Sequence, residues 1–236
     1  MIPWARQRAL VIAPHPDDEV IGCGATIRKI KDAGGELHVH FLTVGHTADA
    51  SETGFSSMEE RLVEIKRVAQ VLGFDSYDVS MPGSDHHLRL DTVSQIDLIR
   101  IIEAEGSCSL DVLKPTMVLL PFAHGYNQDH RAAATATLTA LRPGGSVFRQ
   151  QPELVLVYEQ LADLWRAGPA LDPDTFVEVS ADQVAAKVEA MRTYASQDRP
   201  PPSTRSCEAL ESMAVYRGAQ SGFELAEAFQ LLRARW

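Results

Sequence analysis

The chain has 236 residues, of which 45% are hydrophobic and 23% are charged, and its formal net charge is −10. This length suits one large α/β domain, and the ordinary composition excludes disordered and fibrous classes of protein. Because no local cluster of Lys and Arg offsets the negative charge, nucleic acid and membrane surfaces are disfavoured as partners.

The cysteines and the N-terminal segment indicate the cellular compartment. Cys23, Cys108 and Cys207 are far apart and show no CxxC spacing, so neither a disulfide framework nor a thiolate zinc site is indicated. No signal-peptide pattern precedes the first strand-like segment, and no apolar run reaches the roughly 20 residues of a membrane helix. We therefore expect a cytoplasmic protein with a single domain over residues 1–236.

The first half of the chain alternates strand-like and helix-like segments. The short apolar run at 9–13 predicts a buried parallel strand, and a second strand is predicted at 36–44. A loop containing glycines leads to a predicted helix at 26–31. Another helix is predicted after Ser57, because Glu60 follows Ser57 by three residues, as in a capping box.

The alternation continues into the second half. Further strands are predicted at 77–81, 116–121 and 154–158, and further helices at 92–104, 132–141 and 182–195. The C-terminal part is less regular, and a final helical segment is predicted from Phe223. Strands that alternate with helices predict an α/β fold in three layers, with a mostly parallel central sheet and helices on both faces.

Two loops carry the residues suited to chemistry. In parallel sheets, ligands bind beyond the carboxyl ends of strands, which selects the loops after residue 13 and after Pro121. The first loop contains His15 and Asp18, and the second contains His130. Two imidazoles and one carboxylate leave a position for water, as in catalytic zinc sites. Asp17 is not one of these three candidate ligands, and its carboxylate could take a proton from a water on the metal.

These motifs resemble a known family. The run from Val11 to Glu19, with Gly22-Cys23-Gly24 after it, is similar to the opening motif of the LmbE-like, or PIG-L, deacetylases. Further matches follow along the whole chain: Arg61 with Glu64 before Leu72-Gly73, Asp85 with Leu88, Lys114-Pro115, Asp129-His130-Arg131, and Lys187 with Tyr194-Ala195-Ser196-Gln197.

The resemblance implies a Rossmann-like fold and a zinc ion (Zn2+) held by the three residues His15, Asp18 and His130. It also implies that Asp17 is the general base and that Glu19 is structural. Arg61 and Asp85 match positions that contact the substrate sugar in some family members. The alternatives for these two are a charge on a helix surface and a carboxylate in a turn.

The second loop departs from the family pattern. Several members have a histidine three residues before the ligand histidine, where this chain has Asn127. Asparagine can donate a hydrogen bond to an oxyanion but cannot supply a proton to a leaving amine. Either Asp17 carries out both proton transfers, or His124 or Tyr126 assists. Asn127 and His124 are therefore candidate catalytic residues, and Tyr126 is a candidate substrate contact. For His124 the alternative is a polar residue at the pocket rim.

The remaining histidines are weaker candidates. His38 and His40 share one face of a predicted strand and are expected to be packed or solvated. His86 and His87, next to Asp85, could line a sugar pocket.

The resulting hypothesis is a zinc-dependent hydrolase that removes an N-acyl group from an amino sugar or its conjugate, a small-molecule partner. Two alternatives stay open. One is a non-catalytic protein that binds a nucleotide or sugar on this fold, and the other is a zinc amidase or esterase with a non-sugar substrate. The sequence predicts neither the identity of the conjugate nor the oligomeric state. A homo-oligomer is therefore one of the possible states.

Overall fold

The computed structural model describes residues 2–49, 53–144, 150–165 and 168–235. The strands, in chain order, are β1 (Arg8–Ala13), β2 (Glu36–Val44), β3 (Thr47–Ala48), β4 (Phe55–Ser56), β5 (Ser76–Pro82), β6 (Met117–Leu120), β7 (Leu154–Tyr158), β8 (Thr175–Glu178) and β9 (Ala226–Ala234). The α-helices are α1 (Asp18–Asp32), α2 (Met58–Leu72), α3 (Gln95–Ala104), α4 (Leu110–Leu113), α5 (Gln128–Ala140), α6 (Ala181–Thr193) and α7 (Cys207–Ser221). Short 3-10 helices lie at Trp4–Arg6, Leu90–Thr92 and Leu161–Leu164.

Within the described residues, seven strands form one sheet in the order β5-β2-β1-β6-β7-β9-β8. The first five strands of that order are parallel to one another, whereas β9 is antiparallel to both β7 and β8. In β1, Val11 lies opposite Val39 on one side and Leu119 on the other. The prediction of a mostly parallel central sheet is confirmed.

The sheet separates two hydrophobic clusters. Along β1, Ala9 and Val11 belong to the cluster shared with α1, α2 and α6, while Leu10 and Ile12 belong to the cluster shared with α3 and α5. Successive side chains of a strand point to opposite faces, so an apolar run with no polar interruption is what a strand covered on both faces requires. The three predicted layers are therefore present.

Helix α2 begins as its sequence predicts. Ser57 Oγ accepts a hydrogen bond from the Glu60 amide at 3.2 Å, and Glu60 Oε2 accepts one from the Ser57 amide at 2.7 Å. Gly73 ends the helix with φ 79°, a left-handed conformation that glycine adopts without steric cost. The predicted capping box is confirmed.

Helix α1 begins at Asp18 rather than at residue 26, and it is kinked at Cys23, whose φ of −151° is not helical. The glycines expected in a loop therefore lie inside the helix, on either side of this kink. A Cβ at Gly22 would overlap the ring of Tyr158, so glycine lets α1 pack closely on β7. Helix α5 likewise begins at Gln128 rather than at 132, and α3 begins at Gln95 rather than at 92. The early starts of α1 and α5 place loop residues of the candidate site in the first turn of a helix.

The prediction of a final helix from Phe223 is wrong. Ala226–Ala234 forms strand β9, which lies between β7 and β8, and the helix of this region is α7. The segment is rich in Ala, Glu, Leu and Arg, which favour helix in isolation, but pairing on both sides of β9 outweighs that weak preference. Neither β8 nor α7 was predicted.

Among the helices in the part of the chain that the structure describes, none is long and apolar enough to cross a membrane.

Candidate active site

The three predicted metal ligands meet at the carboxyl ends of β1 and β6. His15 follows β1, Asp18 begins α1, and His130 lies in the first turn of α5. One ligand atom from each of the three lies within 4.8 Å of the others, and all three residues are buried. Residues more than a hundred positions apart in sequence are thus brought to one point by the parallel strands.

The carboxylate of Asp18 lies between the two imidazoles. Its Oδ2 is 3.3 Å from His15 Nδ1, and its Oδ1 is 3.2 Å from His130 Nε2. Burial alone would raise the pKa of Asp18, but His130 and His15 hold that pKa well below its usual value. Within the described residues, His130 Nδ1 has no hydrogen-bond partner. Two imidazoles and an ionised carboxylate that converge in a buried site form a donor set that fits zinc.

Asp129 orients His15. Its Oδ2 lies 2.8 Å from His15 Nε2, and its Oδ1 accepts a hydrogen bond from the Leu90 amide at 2.9 Å. Burial would lower the pKa of His15, but the carboxylates of Asp129 and Asp18 raise it to about 9. A carboxylate on one ring nitrogen fixes the tautomer and leaves the other nitrogen to face a cation. In the sequence Asp129 is marked only as part of the Asp129-His130-Arg131 motif, which does not predict this contact with His15.

Asp17 is held in a strained turn beside the three ligands. Its φ is 121°, its side chain is buried, and within the described residues its Oδ2 has no hydrogen-bond partner. The backbone amide of Asp17 donates to Glu19 Oε2 at 3.2 Å, and Glu19 Oε1 accepts from the Tyr194 hydroxyl at 2.7 Å. A positive φ costs a non-glycine residue about 1–2 kcal/mol, so these contacts help to hold a conformation that the residue would otherwise avoid.

Burial also shifts the pKa values of the carboxyl groups in this turn. It raises the pKa of the Asp17 carboxyl, and it raises the pKa of Glu19 to about 8. Asp17 and Asp18 are neighbours in sequence, yet the pKa of one is raised and that of the other lowered. Two adjacent carboxyls with such different environments are suited to different roles, one as a ligand and one as a base.

Arg205 is a further residue of the site that sequence analysis missed. Its Nη1 lies 3.6 Å from Asp17 Oδ2 and donates to Gln197 Oε1 at 2.8 Å. The Asp17 carboxylate raises the pKa of Arg205. No motif marks Arg205, because it belongs to the irregular segment between α6 and α7.

Arg61 is buried rather than exposed on the surface of α2. Its Nη2 donates to the Pro16 carbonyl at 3.0 Å, and its Nη1 contacts Thr47 Oγ1. The alternative of a charge on a helix surface is therefore wrong for Arg61, which supports the loop that carries Asp17. A contact with the substrate sugar stays a prediction.

His87 forms a wall beside His15. The two rings meet edge to face, with centroids 5.4 Å apart. His87 Nδ1 lies 3.2 Å from Thr43 Oγ1, and its Nε2 lies 3.0 Å from Thr47 Oγ1. Burial lowers the pKa of His87 to about 3, so the ring is neutral near pH 7 and is a poor proton donor.

The other candidates lie further out. Asn127 is the N-cap of α5, where its Oδ1 accepts from the Asp129 amide at 2.9 Å. His124 is exposed and packs edge-on against Phe122, and Tyr126 is also exposed. Asp85 lies on an exposed loop after β5. The structure thus gathers His15, Asp18 and His130 at one point with Asp17 beside them, and it leaves His124, Tyr126 and Asp85 at the surface.

Comparison with known proteins identifies relatives of the whole chain. The family model described as PIG-L, GlcNAc-PI de-N-acetylase, matches residues 10–141. The chain is 27% identical over 235 residues to a diacetylchitobiose deacetylase of Thermococcus kodakarensis, covering 96% of this chain and 83% of the relative. It is 29% identical over 219 residues to a 2'-N-acetylparomamine deacetylase of Streptomyces fradiae, covering 81% of this chain and 74% of the relative.

Solved structures share the fold. A conserved protein of Thermus thermophilus is 26% identical with a TM-score of 0.72, covering 98% of this chain and 96% of that chain. A 4-carboxy-2-hydroxymuconate hydratase of Pseudomonas putida is 21% identical with a TM-score of 0.68, covering 97% of each chain. Because proteins with different named activities share this fold, the reaction must be argued from the site.

Proposed function

The chain belongs to the PIG-L family, and we propose that it is a zinc-dependent hydrolase that removes the acetyl group from an N-acetylated amino sugar or amino-sugar conjugate. Two curated relatives support this reaction, since they are named as deacetylases of diacetylchitobiose and of 2'-N-acetylparomamine.

One observation carries the proposal. The buried carboxylate of Asp17 precedes the proposed ligand Asp18 in the chain and interacts electrostatically with Asp18 and His15. Within the described residues its Oδ2 is not hydrogen-bonded. A buried acceptor without a hydrogen bond costs free energy, about 1–3 kcal/mol or more. The turn around Asp17 keeps this acceptor next to the donor set, where a general base is needed.

His15, Asp18 and His130 would hold the zinc ion. When bound, zinc supplies a Lewis acid that polarises the acyl carbonyl and lowers the pKa of a water to about 7. Asp17 accepts a proton from the attacking water as the hydroxyl oxygen bonds to the acyl carbon. Asp17 then returns that proton to the nitrogen as the C–N bond breaks, which gives acetate and a free amine.

Several other residues assist these steps. Arg205 offsets the negative charge of Asp17 in a buried site. The side-chain amide of Asn127 uses its oxygen to cap α5, and its NH2 group remains a donor for the oxyanion. His124 and Tyr126 are exposed, and neither is assigned a proton-transfer step. Asp17 is the proposed group for both proton transfers, because Asn127 replaces the histidine that could share them.

Product release assays test the proposal. A panel of N-acetylated amino sugars, their disaccharide conjugates, N-acyl amino acids and esters is incubated with the purified chain, and amine and acetate are quantified. We expect equimolar amine and acetate from the sugar compounds, loss of both after chelation, and recovery when zinc is restored. Turnover confined to the non-sugar compounds would favour the amidase or esterase alternative. Sugar binding without release of any product would favour a non-catalytic protein.

A further inference from the structure

A separate cavity of about 600 Å3 opens beside the first turn of α5. Its lining residues are His124, Gly125, Tyr126, Arg131, Leu164, Trp165 and Gly168. None of the three metal ligands is among them. Trp165 is 82% exposed, the highest value among the exposed large hydrophobic residues of the described chain. A large aromatic side chain left in solvent at the mouth of a cavity is a common feature of ligand-binding surfaces.

Both walls of this cavity are tied to the metal site. The first wall is the loop that ends in Tyr126, one residue before the N-cap of α5 and four before His130. Arg131 Nη1 holds this loop by donating to the carbonyls of Gly125 at 2.9 Å and Tyr126 at 2.7 Å. The first wall therefore keeps a fixed position relative to His130.

The second wall follows β7. Gln160 Nε2 donates to Asp18 Oδ1 at 2.9 Å, and the 3-10 helix Leu161–Leu164 leads from Gln160 to Trp165. The two walls also approach each other closely, because a Cβ at Gly125 would overlap the carboxylate of Asp163. Trp165 is thus placed a few residues from a direct contact with the Asp18 carboxylate.

We propose that this cavity, here called the Trp165 pocket, binds a second sugar ring, the one attached to the N-acetylated sugar that the metal site holds. This inference rests on the proposed function and adds the part of the substrate that sets specificity. The C–H face of a pyranose ring is apolar and stacks on an aromatic side chain, while its hydroxyl groups need polar neighbours. Trp165 and Tyr126 supply aromatic surface, and His124 and Arg131 supply polar groups, in a cavity within the size range of small-molecule sites.

The polar lining residues also favour a sugar ring over other classes of ligand. An acyl chain needs a lining that is almost wholly apolar, whereas His124 and Arg131 lie among the lining residues here. Arg131 disfavours a cationic group by like-charge repulsion. An uncharged, hydroxylated ring fits both features.

The test compares one ring with two. Values of kcat/KM are measured for N-acetylglucosamine and for N,N'-diacetylchitobiose with the wild type, Trp165→Ala and Trp165→Phe. Ile96→Ala, which changes another exposed hydrophobic residue outside the pocket, is the control. We expect Trp165→Ala to lower kcat/KM for the disaccharide about tenfold, which corresponds to about 1.4 kcal/mol, and to leave the monosaccharide unchanged. Trp165→Phe should retain most of the preference.

A binding measurement separates this inference from the proposed function. Tryptophan fluorescence is titrated with the disaccharide in the Asp17→Asn background, where turnover does not interfere. A saturable change that is lost in Trp165→Phe supports the pocket even if no wild-type deacetylation is found. An equal loss for both substrates in Trp165→Ala, no loss for either, or no saturable fluorescence change would overturn it.

Discussion

The guanidinium of Arg205 lies 3.6 Å from Asp17 Oδ2, so a residue of the irregular C-terminal segment faces the carboxylate proposed as the general base. This distance is an ion pair rather than a hydrogen bond, and it leaves Oδ2 free to accept a proton. Asp17 is buried, and an isolated anion there would be costly. Arg205 supplies the largest compensating positive charge at Asp17, and Arg61 and His15 add to it.

Removing that charge should slow the reaction. We expect Arg205→Met to lower kcat about a hundredfold, the size of effect found when a positioned electrostatic contact is lost. Arg205→Lys should recover part of the rate, since it restores the charge without the planar fork. Steady-state kinetics measure both, and Arg67→Met, an exposed arginine on α2, should match the wild type. If Arg205→Met kept the wild-type kcat, the ion pair would have no catalytic consequence.

Asp129 should control metal affinity. In Asp129→Asn the residue keeps its shape, but an amide NH2 can face His15 Nε2, which favours the wrong imidazole tautomer. Loss of such an orienting carboxylate typically weakens zinc binding about 10–100-fold. Competition with a chromophoric chelator measures the affinity, and circular dichroism checks that the fold is retained. An unchanged zinc affinity with a retained fold would show that the 2.8 Å contact does not orient His15.

Metal removal should lower the stability of the folded protein as well as the rate of the reaction. The three ligands come from the loop after β1, the start of α1 and the start of α5, so a bound ion links elements on both faces of the sheet. A ligand that binds only the native state raises its stability by mass action, by about 2.7 kcal/mol at a concentration a hundredfold above Kd. Thermal unfolding with and without zinc should show this stabilisation in the wild type and not in His130→Ala. Equal stabilisation of both proteins would place the ion elsewhere.

His40 should make stability depend on pH. It is buried in β2, with Nε2 2.5 Å from Ser80 Oγ, and burial lowers its pKa to about 4 from the ordinary value of 6.5. The unfolded chain therefore binds a proton at His40 at a pH where the folded chain does not. The contribution of neutral His40 is fully present above pH 6.5 and falls as the pH drops toward 4.

Urea unfolding at about pH 7.5 and about pH 5 measures this dependence. Between these values His40 should account for about 2 kcal/mol of lost stability, from about 1.36 kcal/mol for each pKa unit. His40→Asn should lose correspondingly less on acidification than the wild type. His86→Asn, an exposed histidine, should lose as much as the wild type. An equal pH dependence for the wild type and His40→Asn would contradict the buried, neutral state of His40.

The sequence is informative about the site where its chemistry is local. His15, Asp17 and Asp18 lie within the five residues that follow a buried strand, and the rule for ligands at strand ends brings His130 to the same edge. Asp129 and Arg205 were missed because their roles depend on contacts with His15 and Asp17 that no local pattern encodes.

The fold of the C-terminal part likewise depends on long-range contacts that the local sequence does not predict. The composition of β9 favours a helix, and only its pairing with β7 and β8 makes it a strand. The buried Glu227 of β9 accepts from the amide of Thr26 at 2.7 Å and from Lys187 Nζ at 2.6 Å. These long-range contacts are absent from any short window of sequence.

The role of Asp17 is tested most directly by Asp17→Asn in the zinc-loaded protein, with zinc content and melting temperature measured alongside acetate release from N,N'-diacetylchitobiose. Asp172→Asn, which changes an exposed carboxylate in the same way, is the control. We predict that Asp17→Asn binds zinc and melts like the wild type but loses at least about a hundredfold in kcat, while the control keeps its rate. Acetate release at the wild-type rate from zinc-loaded Asp17→Asn would show that Asp17 is not the general base.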